Sequence, residues 1–427
     1  MASLAPPPAR VLVIGTGLIG TSVALALRAR GTDVWLSDVD ASAAEVAAGL
    51  GAGTAVADLA DAKGIADIAV LAMPPDAVAR MLALAQETGV ADWYTDVASV
   101  KSLPLAGARE LGCDLESYVP GHPLAGRERH GPAAARADLF QGRTWALCPL
   151  PENAPGAVAA VSGLAEACGA ELVVADAATH DRWVALVSHA PHVVSAAMAA
   201  RLGAPGVPGQ ALKLAGGGLR DVTRIAAGDV ALWLQILSAN AVPVAEILSA
   251  VADDLAAASR SLAAASGSAA AASRSQTADA EPGAVPASVP VTIRDAGPSA
   301  DAADISEMSD LLNRGREGVA RIPGKHGGQA RNFAVVQAVI ADRPGELARV
   351  FGAAEAAQVN VEDVRIEHSP GLPTGVIEIS VRPDQARALL DAMTKGGWTA
   401  RKLSPSPPGA RIRCPPVESA SNQRRSR

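Results

Sequence analysis

Apolar residues in the first part of the chain fall in short continuous runs, each closed by glycine, proline or a polar turn. Arg10-Val11-Leu12-Val13-Ile14 has the unbroken apolar character of a strand buried on both faces. The pattern then becomes helical from Leu18 to Arg30, Gly31 ends it, and Val34 to Asp38 reads as a second strand. Ile68 to Ala72 is a further buried strand, stopped by Met73-Pro74-Pro75, with a helix from Asp76. Trp93 to Asp96 reads as a fourth strand, and Tyr118 to Pro123 as a short strand entering a loop. Strands at 143–148 and 170–174, around a helix from Asn153 to Cys168, are expected to extend the same sheet. Alternation of this kind predicts an α/β domain with a parallel sheet over residues 9–175.

From residue 176 to 262 the period is helical throughout, broken at Leu202 to Gly209 and at Gly216-Gly217-Gly218. Residues 263–304 are Ala, Ser, Gly and Pro with almost no large apolar side chain, which predicts a flexible linker. A connecting segment at 305–332 has a short helix from Ile305 to Arg316 and a basic, Gly-rich stretch from Ile322 to Gly328. Residues 333–403 read strand, helix, strand, strand, helix, strand, a small α+β module. The Pro- and Arg-rich tail, 404–427, is expected to be disordered.

The first turn carries chemistry. Gly15-x-Gly17-x-x-Gly20 joins the first strand to the first helix, which is the context of a Rossmann-type dinucleotide fingerprint. Gly15 permits the turn, Gly17 the approach of a pyrophosphate, and Gly20 close helix–strand packing; Leu18 and Ile19 open the helix whose N-terminus faces the phosphates. Asp38, at the end of the second strand, suits the two ribose hydroxyls and repels a 2′-phosphate, so NAD is favoured over NADP. Met73 and Pro74 follow a strand end that lines such clefts. Ser99 lies past the C-terminal end of the next strand, where open α/β sheets bind ligands; it either caps a helix starting near Val100 or lines the site.

His122, between Gly121 and Pro123, is either a structural histidine or a proton acceptor near neutral pH. Ser188 and His192 share a helix face, and Pro191 between them should kink the helix; they are a core pair or pocket lining. Arg224, read as the start of another helix, either pairs with Asp221 or grips a carboxylate at two points.

Bulk numbers narrow the partners. The 427 residues are 49% hydrophobic but only 3% aromatic, so the cores are Ala, Val and Leu. A net charge of −7 argues against nucleic-acid binding. The four cysteines form no C-x-x-C pair, which suits a reduced, cytoplasmic protein with neither disulfide framework nor metal site. No secretory signal and no membrane span are expected.

Taken together, Gly15-Thr16-Gly17-Leu18-Ile19-Gly20, Asp96-x-x-Ser99-Val100-Lys101, Gly121-His122-Pro123-x-Ala125-Gly126, His180-Asp181, Ser188-His189-x-Pro191-His192 and Gly216-Gly217-Gly218-x-x-Asp221-x-Thr223-Arg224 resemble the prephenate/arogenate dehydrogenases of tyrosine biosynthesis over about residues 10 to 262. The resemblance implies NAD-dependent oxidative decarboxylation of a cyclohexadienol, prephenate in the main reading and arogenate in the alternative. It implies that His122 takes the ring hydroxyl's proton, that Ser99 orients both, and that Arg224 binds a substrate carboxylate. Ser188 and His192 would line the pocket, with Trp233 supplied by the partner of a homodimer built on the helical half. Glu128, in a charged loop that departs from the family pattern, would sense the substrate's side arm. The Asp342-Arg343-Pro344-Gly345-Glu346-Leu347 turn makes the last module resemble an ACT domain, with Asp342, Pro344, Gly345 and Leu347 facing an effector, tyrosine. A β-hydroxyacid-type dehydrogenase would place a catalytic lysine on the long helix, where Ser188 and His192 stand instead. A non-catalytic NAD and amino-acid sensor would bind NAD without turnover.

Overall fold

The computed structural model describes residues 7–126, 130–278, 306–322, 333–368 and 373–403. The chain divides into two compact units, Met1–Ala257 and Ala258–Arg427.

The first unit opens β1 (Arg10–Ile14), α1 (Leu18–Arg28), β2 (Asp33–Ser37), α2 (Ala41–Gly49) and β3 (Thr54–Ala55). It continues β4 (Ala66–Leu71), α3 (Pro75–Thr88), β5 (Ala91–Asp96), α4 (Ser102–Glu110) and β6 (Tyr118–Val119). These strands form one parallel sheet in the order β3-β2-β1-β4-β5-β6. Strand residues alternate between its two faces: Val11 and Val13 enter one core cluster, Leu12 and Ile14 the other, and all four are buried. Both faces being covered is why β1 reads as a continuous apolar run rather than an alternating one.

The sheet ends sooner than its sequence suggests. β7 (Gly121–Pro123), β8 (Thr144–Leu147) and β9 (Glu171–Val174) form a separate sheet, β7 antiparallel to β8 and β8 parallel to β9, with α5 (Pro155–Ala167) between the last two. Pro120 is the physical reason: it has no N–H to continue the ladder that Tyr118 and Val119 make with β5. The chain turns there, and His122 is carried out of the main sheet.

The helical part comprises α6 (Ala177–Val184), a π-helical turn (Ala185–His189), α7 (Ala190–Leu202), α8 (Gly217–Thr223), α9 (Val230–Ala239) and α10 (Ala241–Ala278). Three readings are corrected here. Gly217 and Gly218 form the first turn of α8 with Gly216 at its cap, a position that tolerates glycine. Arg224 starts only a 3₁₀ turn, Arg224–Ala227. Helix α10 runs on to Ala278, well inside the expected linker, because an Ala-rich stretch propagates a helix already nucleated and packed at its start.

The helix from Ala177 through Leu202 is long and apolar enough to cross a membrane by composition alone. Here its His180, Asp181, His189 and His192 are buried against the rest of the unit.

In the second unit, α11 (Ser306–Ala320) precedes β10 (Ala334–Ala341), α12 (Glu346–Ala356), β11 (Val361–His368), β12 (Thr374–Val381), α13 (Ala386–Lys395) and β13 (Ala400–Leu403). The four strands make an antiparallel sheet in the order β11-β12-β10-β13, which with α12 and α13 is a ferredoxin-like α+β arrangement. Gly345 takes φ +84 at the cap of α12, which explains the glycine in the turn. The buried Glu346 beside it accepts hydrogen bonds from Trp398 Nε1 (2.7 Å), Arg343 Nε (3.0 Å) and Arg349 Nη1 (3.0 Å). These donors hold its carboxyl below the usual range, the Trp398 bond foremost.

Candidate active site

At the C-terminal edge of the parallel sheet, the glycine-rich turn is built for close approach. Gly15 has φ +100, and a Cβ there would lie 2.2 Å from the Ala72 carbonyl oxygen. A Cβ on Gly20 would lie 2.0 Å from the Gly15 carbonyl oxygen. Gly17, by contrast, has nothing within 4 Å of where its Cβ would be, and the α1 N-terminus it caps has no side-chain cap. The space over Gly17 and the N–H groups of Leu18, Ile19 and Gly20 therefore fit a pyrophosphate. Asp38 belongs to the same surface, since its Oδ2 accepts from the Thr16 backbone N–H and from Thr16 Oγ1 (2.9 Å). Met73 and Pro74 follow directly from Ala72, with Pro74 at the cap of α3.

Beside this turn lies a polar network that is almost wholly inside the protein. Lys101 is fully buried; its Nζ is bonded to Asp96 Oδ1 and donates to the Gly121 carbonyl oxygen. Asp96 Oδ2 accepts from Tyr118 Oη at 2.6 Å. Burial and the Asp96 charge push the Tyr118 hydroxyl well above its ordinary pKa, so it remains a donor.

The backbone of Lys101 faces the other way. Its N–H and that of Ser102 donate to the two carboxylate oxygens of Asp181, each at 2.8 Å. Asp181 thus caps α4 from another helix, and Ser99 is not the cap that its position suggested. Asp181 Oδ1 also meets His180 Nδ1 at 2.8 Å, and His180 Nε2 meets His122 Nδ1 at 3.0 Å. His122 itself is partly exposed. Burial of its ring foremost, and then the neighbouring basic groups of His180, Lys101 and His189, hold its pKa well below the ordinary histidine value.

The helical side closes on this network through Asn240, at the end of α9. Its Nδ2 donates to the Asp181 carbonyl oxygen (2.8 Å) and approaches His189 Nδ1 (3.0 Å). His189 sits edge-on to Trp233 at 6.1 Å, and His192 stacks on Trp233 at 3.6 Å with an interplanar angle of 14°. A Cβ on Gly228 would lie 2.5 Å from Trp233 Nε1 and 3.0 Å from His192 Cε1, so the glycine makes room for the stack. Trp233 thus meets His192 within one chain.

Pro191 acts differently from the expected kink. It offers no N–H to the carbonyl four residues back, and the chain widens before it: the Ala190 N–H bonds the Ala185 carbonyl, five residues away. The wider turn leaves Ser188 half-buried and directs His189 inward.

The structure gathers the glycine turn, Asp38, Met73, Pro74, His122, His192 and Trp233 around these two contiguous surfaces. Ser99 stands on the loop after β5, partly exposed, and its side chain makes no hydrogen bond among the described residues; the Ser188 side chain likewise makes none. Arg224 is exposed and makes no ion pair with Asp221. Glu128 lies outside the described residues, as does the tail. Lys101, His180, Asp181 and His189 were in the quoted motifs without being given roles. Their signal was charge or imidazole in an otherwise apolar setting.

Three of these histidines have depressed pKa values: His122, His192 through burial, and His189, which burial pushes down to about 4. The unfolded chain takes up protons on them as pH falls through about 6.5, while the folded chain does so only lower down. Their contribution to stability is therefore complete above that pH and is lost as pH drops. Between pH 7 and 5 we expect His189 alone to cost on the order of 1 to 2 kcal/mol, screening included. Urea midpoints at the two pH values check this, and His189→Gln should flatten the difference.

Comparison with known proteins identifies the family. A family model described as "Prephenate dehydrogenase, nucleotide-binding domain" matches residues 23–174, and one described as "Prephenate dehydrogenase, dimerization domain" matches 176–269. The chain is 36% identical over 393 residues to the probable prephenate dehydrogenase NovF of Streptomyces niveus, covering 91% of this chain and 98% of the relative. An alignment that long runs past residue 269 into the C-terminal module. Among solved structures, Synechocystis arogenate dehydrogenase superposes with a TM-score of 0.52 at 28% identity, covering 63% of this chain and 97% of that one. Prephenate dehydrogenase from A. aeolicus, in complex with hydroxyphenyl propionate and NAD+, does so with 0.55 at 25% identity, covering 65% and 97%.

Proposed function

The chain belongs to the prephenate dehydrogenase family and is an NAD-dependent oxidoreductase, and from that premise we propose how its own residues carry out oxidative decarboxylation of prephenate to 4-hydroxyphenylpyruvate. NAD, when bound, supplies the hydride acceptor; the Gly17 surface, the α1 N-terminus and Asp38 would hold it. The observation that carries the reading is His122: a neutral imidazole, partly exposed, with one ring nitrogen already committed inside the protein. In this reading the other nitrogen takes the proton of the substrate's ring hydroxyl as the carbonyl forms, and returns it to that oxygen as the ring carboxylate leaves as CO2 and the ring becomes aromatic.

Arg224, exposed and unpaired with Asp221, binds a substrate carboxylate, and Ser99 orients the hydroxyl against His122. Ser188, His192 and Trp233 line the ring pocket, and Glu128, outside the described residues, would sense the side arm. The protein works as a cytoplasmic homodimer: Leu186, Val187, Leu214, Val230 and Val242 of the helical part are all more than half exposed in the single chain, an apolar surface of the kind a partner subunit covers. The C-terminal module acts as an ACT-like regulatory domain, with Asp342, Pro344, Gly345 and Leu347 at a tyrosine-binding turn.

The test is NADH formation with NAD and either prephenate or arogenate, the Synechocystis neighbour making the second a necessary arm. Turnover of prephenate at ten times or more the kcat/KM of arogenate is expected. The reverse ranking would transfer the assignment to arogenate, and no turnover with either would overturn it.

A further inference from the structure

The histidine assigned above as the base is tied to two further residues, His180 and Asp181. Asp181 is a carboxylate and can only accept. Two of its acceptor positions are filled by the Lys101 and Ser102 N–H groups, at 2.8 Å each. The hydrogen bond of 2.8 Å to His180 Nδ1 therefore places a proton on that nitrogen. With that as the only proton on the His180 ring, the Nε2 lone pair is directed at His122 Nδ1, 3.0 Å away. That contact is a hydrogen bond only if His122 carries its own proton on Nδ1. One lone pair is left on His122, on Nε2.

We propose that His180 and Asp181 are positioning residues that fix the tautomer of His122, making Nε2 the proton-accepting atom. The proposal rests on the reading of His122 as the base. It follows from the general behaviour of carboxylate–histidine pairs, in which the outer group selects which ring nitrogen is bare. When His122 takes a proton, its Nδ1–H continues to donate toward His180, so the new imidazolium is received by a chain ending in a carboxylate. The geometry is held from both ends. Lys101 bonds the Gly121 carbonyl, adjacent to His122 in the chain, through its side chain, and Asp181 through its backbone. A shift of His180 therefore cannot occur without disturbing the cap of α4.

The direct test is ¹⁵N NMR of the full-length protein with labelled histidine, the His122 signals being those lost in His122→Asn. The expected spectrum above pH 7 has a protonated-type Nδ1 and a lone-pair-type Nε2. The opposite tautomer in the wild type overturns the proposal. Asp181→Ala removes the acceptor that holds the proton on His180 Nδ1, so His180 can carry it on Nε2 and donate to His122 Nδ1, which puts the His122 proton on its own Nε2. The expected result is the flipped tautomer and a fall in kcat on the order of 10² to 10⁴, with KM changed less than threefold.

His180→Gln, whose side-chain carbonyl can accept from His122 Nδ1, should stay within about 100-fold of wild type, whereas His180→Leu should fall further. Equal losses in Gln and Leu would mean His180 acts through packing alone. Should Asp181→Ala not fold, the wild-type spectrum and the His180 pair still decide. Should the spectrum be as expected while His122→Asn keeps its turnover, the base assignment fails and the tautomer assignment stands.

Discussion

His122→Asn should lower kcat by 10² to 10⁴ while leaving KM within a few-fold and NAD affinity unchanged, the range expected for losing one general base. In barrier terms that is roughly 3 to 5 kcal/mol at 1.36 kcal/mol per tenfold. Asparagine is the informative replacement because its amide nitrogen occupies nearly the place of Nδ1. It can still donate to His180 Nε2, so the buried chain through Asp181 persists while the accepting nitrogen is gone. The pH profile is the second readout. His122 is held well below its ordinary pKa, so the acid limb of wild-type kcat/KM should lie below pH 6.5 rather than at it. Protonation silences the base, so activity falls as pH decreases through that limb, and the variant should lack it. A loss under tenfold, or an unchanged acid limb in the variant, would remove His122 from the proposed role.

How much of this was legible beforehand depended on whether a feature was local. The turn Gly15 to Gly20 and Asp38 were readable because strand, turn and helix are consecutive, and the backbone geometry there admits little but glycine. The βαββαβ order of the second unit was readable for the same reason. The end of the parallel sheet was not. Strands at 143–148 and 170–174 look like continuations, and only the pairing reveals that Pro120 diverts the chain into a second sheet.

The site divides along the same line. His122 stood out because Gly121 and Pro123 flank it without apolar periodicity. His180 and Asp181 were visible as a motif, but their function depends on contacts some 58 and 80 residues away in sequence. Ser188 was preferred to His189 because α-helical spacing was assumed through Pro191. The π-turn changes which of the two neighbours faces inward, and no periodicity argument contains that turn.

Lys101→Met should be the most destabilising single change in the first unit, and the argument turns on what it leaves behind. Both members of the Lys101–Asp96 pair have fully buried side chains. Removing the ammonium leaves the Asp96 carboxylate inside the protein with the Tyr118 hydroxyl at 2.6 Å and the Ala98 N–H at 2.8 Å as its remaining donors. Breaking a buried pair from one side costs about 3 to 5 kcal/mol. Against a total stability of roughly 5 to 15 kcal/mol, that is a large share. The double variant Asp96→Leu with Lys101→Met should recover much of the loss, because the cost lies in the unpaired charge and not in the missing attraction.

Catalysis should separate the two outcomes. Lys101 also holds the Gly121 carbonyl, so the double variant, restored in stability, should still show a reduced kcat as His122 loses its anchor. Urea midpoints for the three proteins, read beside their kcat values, measure both effects. A single variant within 1 kcal/mol of wild type would show that Asp96 reaches solvent. A double variant of normal kcat would show that His180 alone suffices to hold the base.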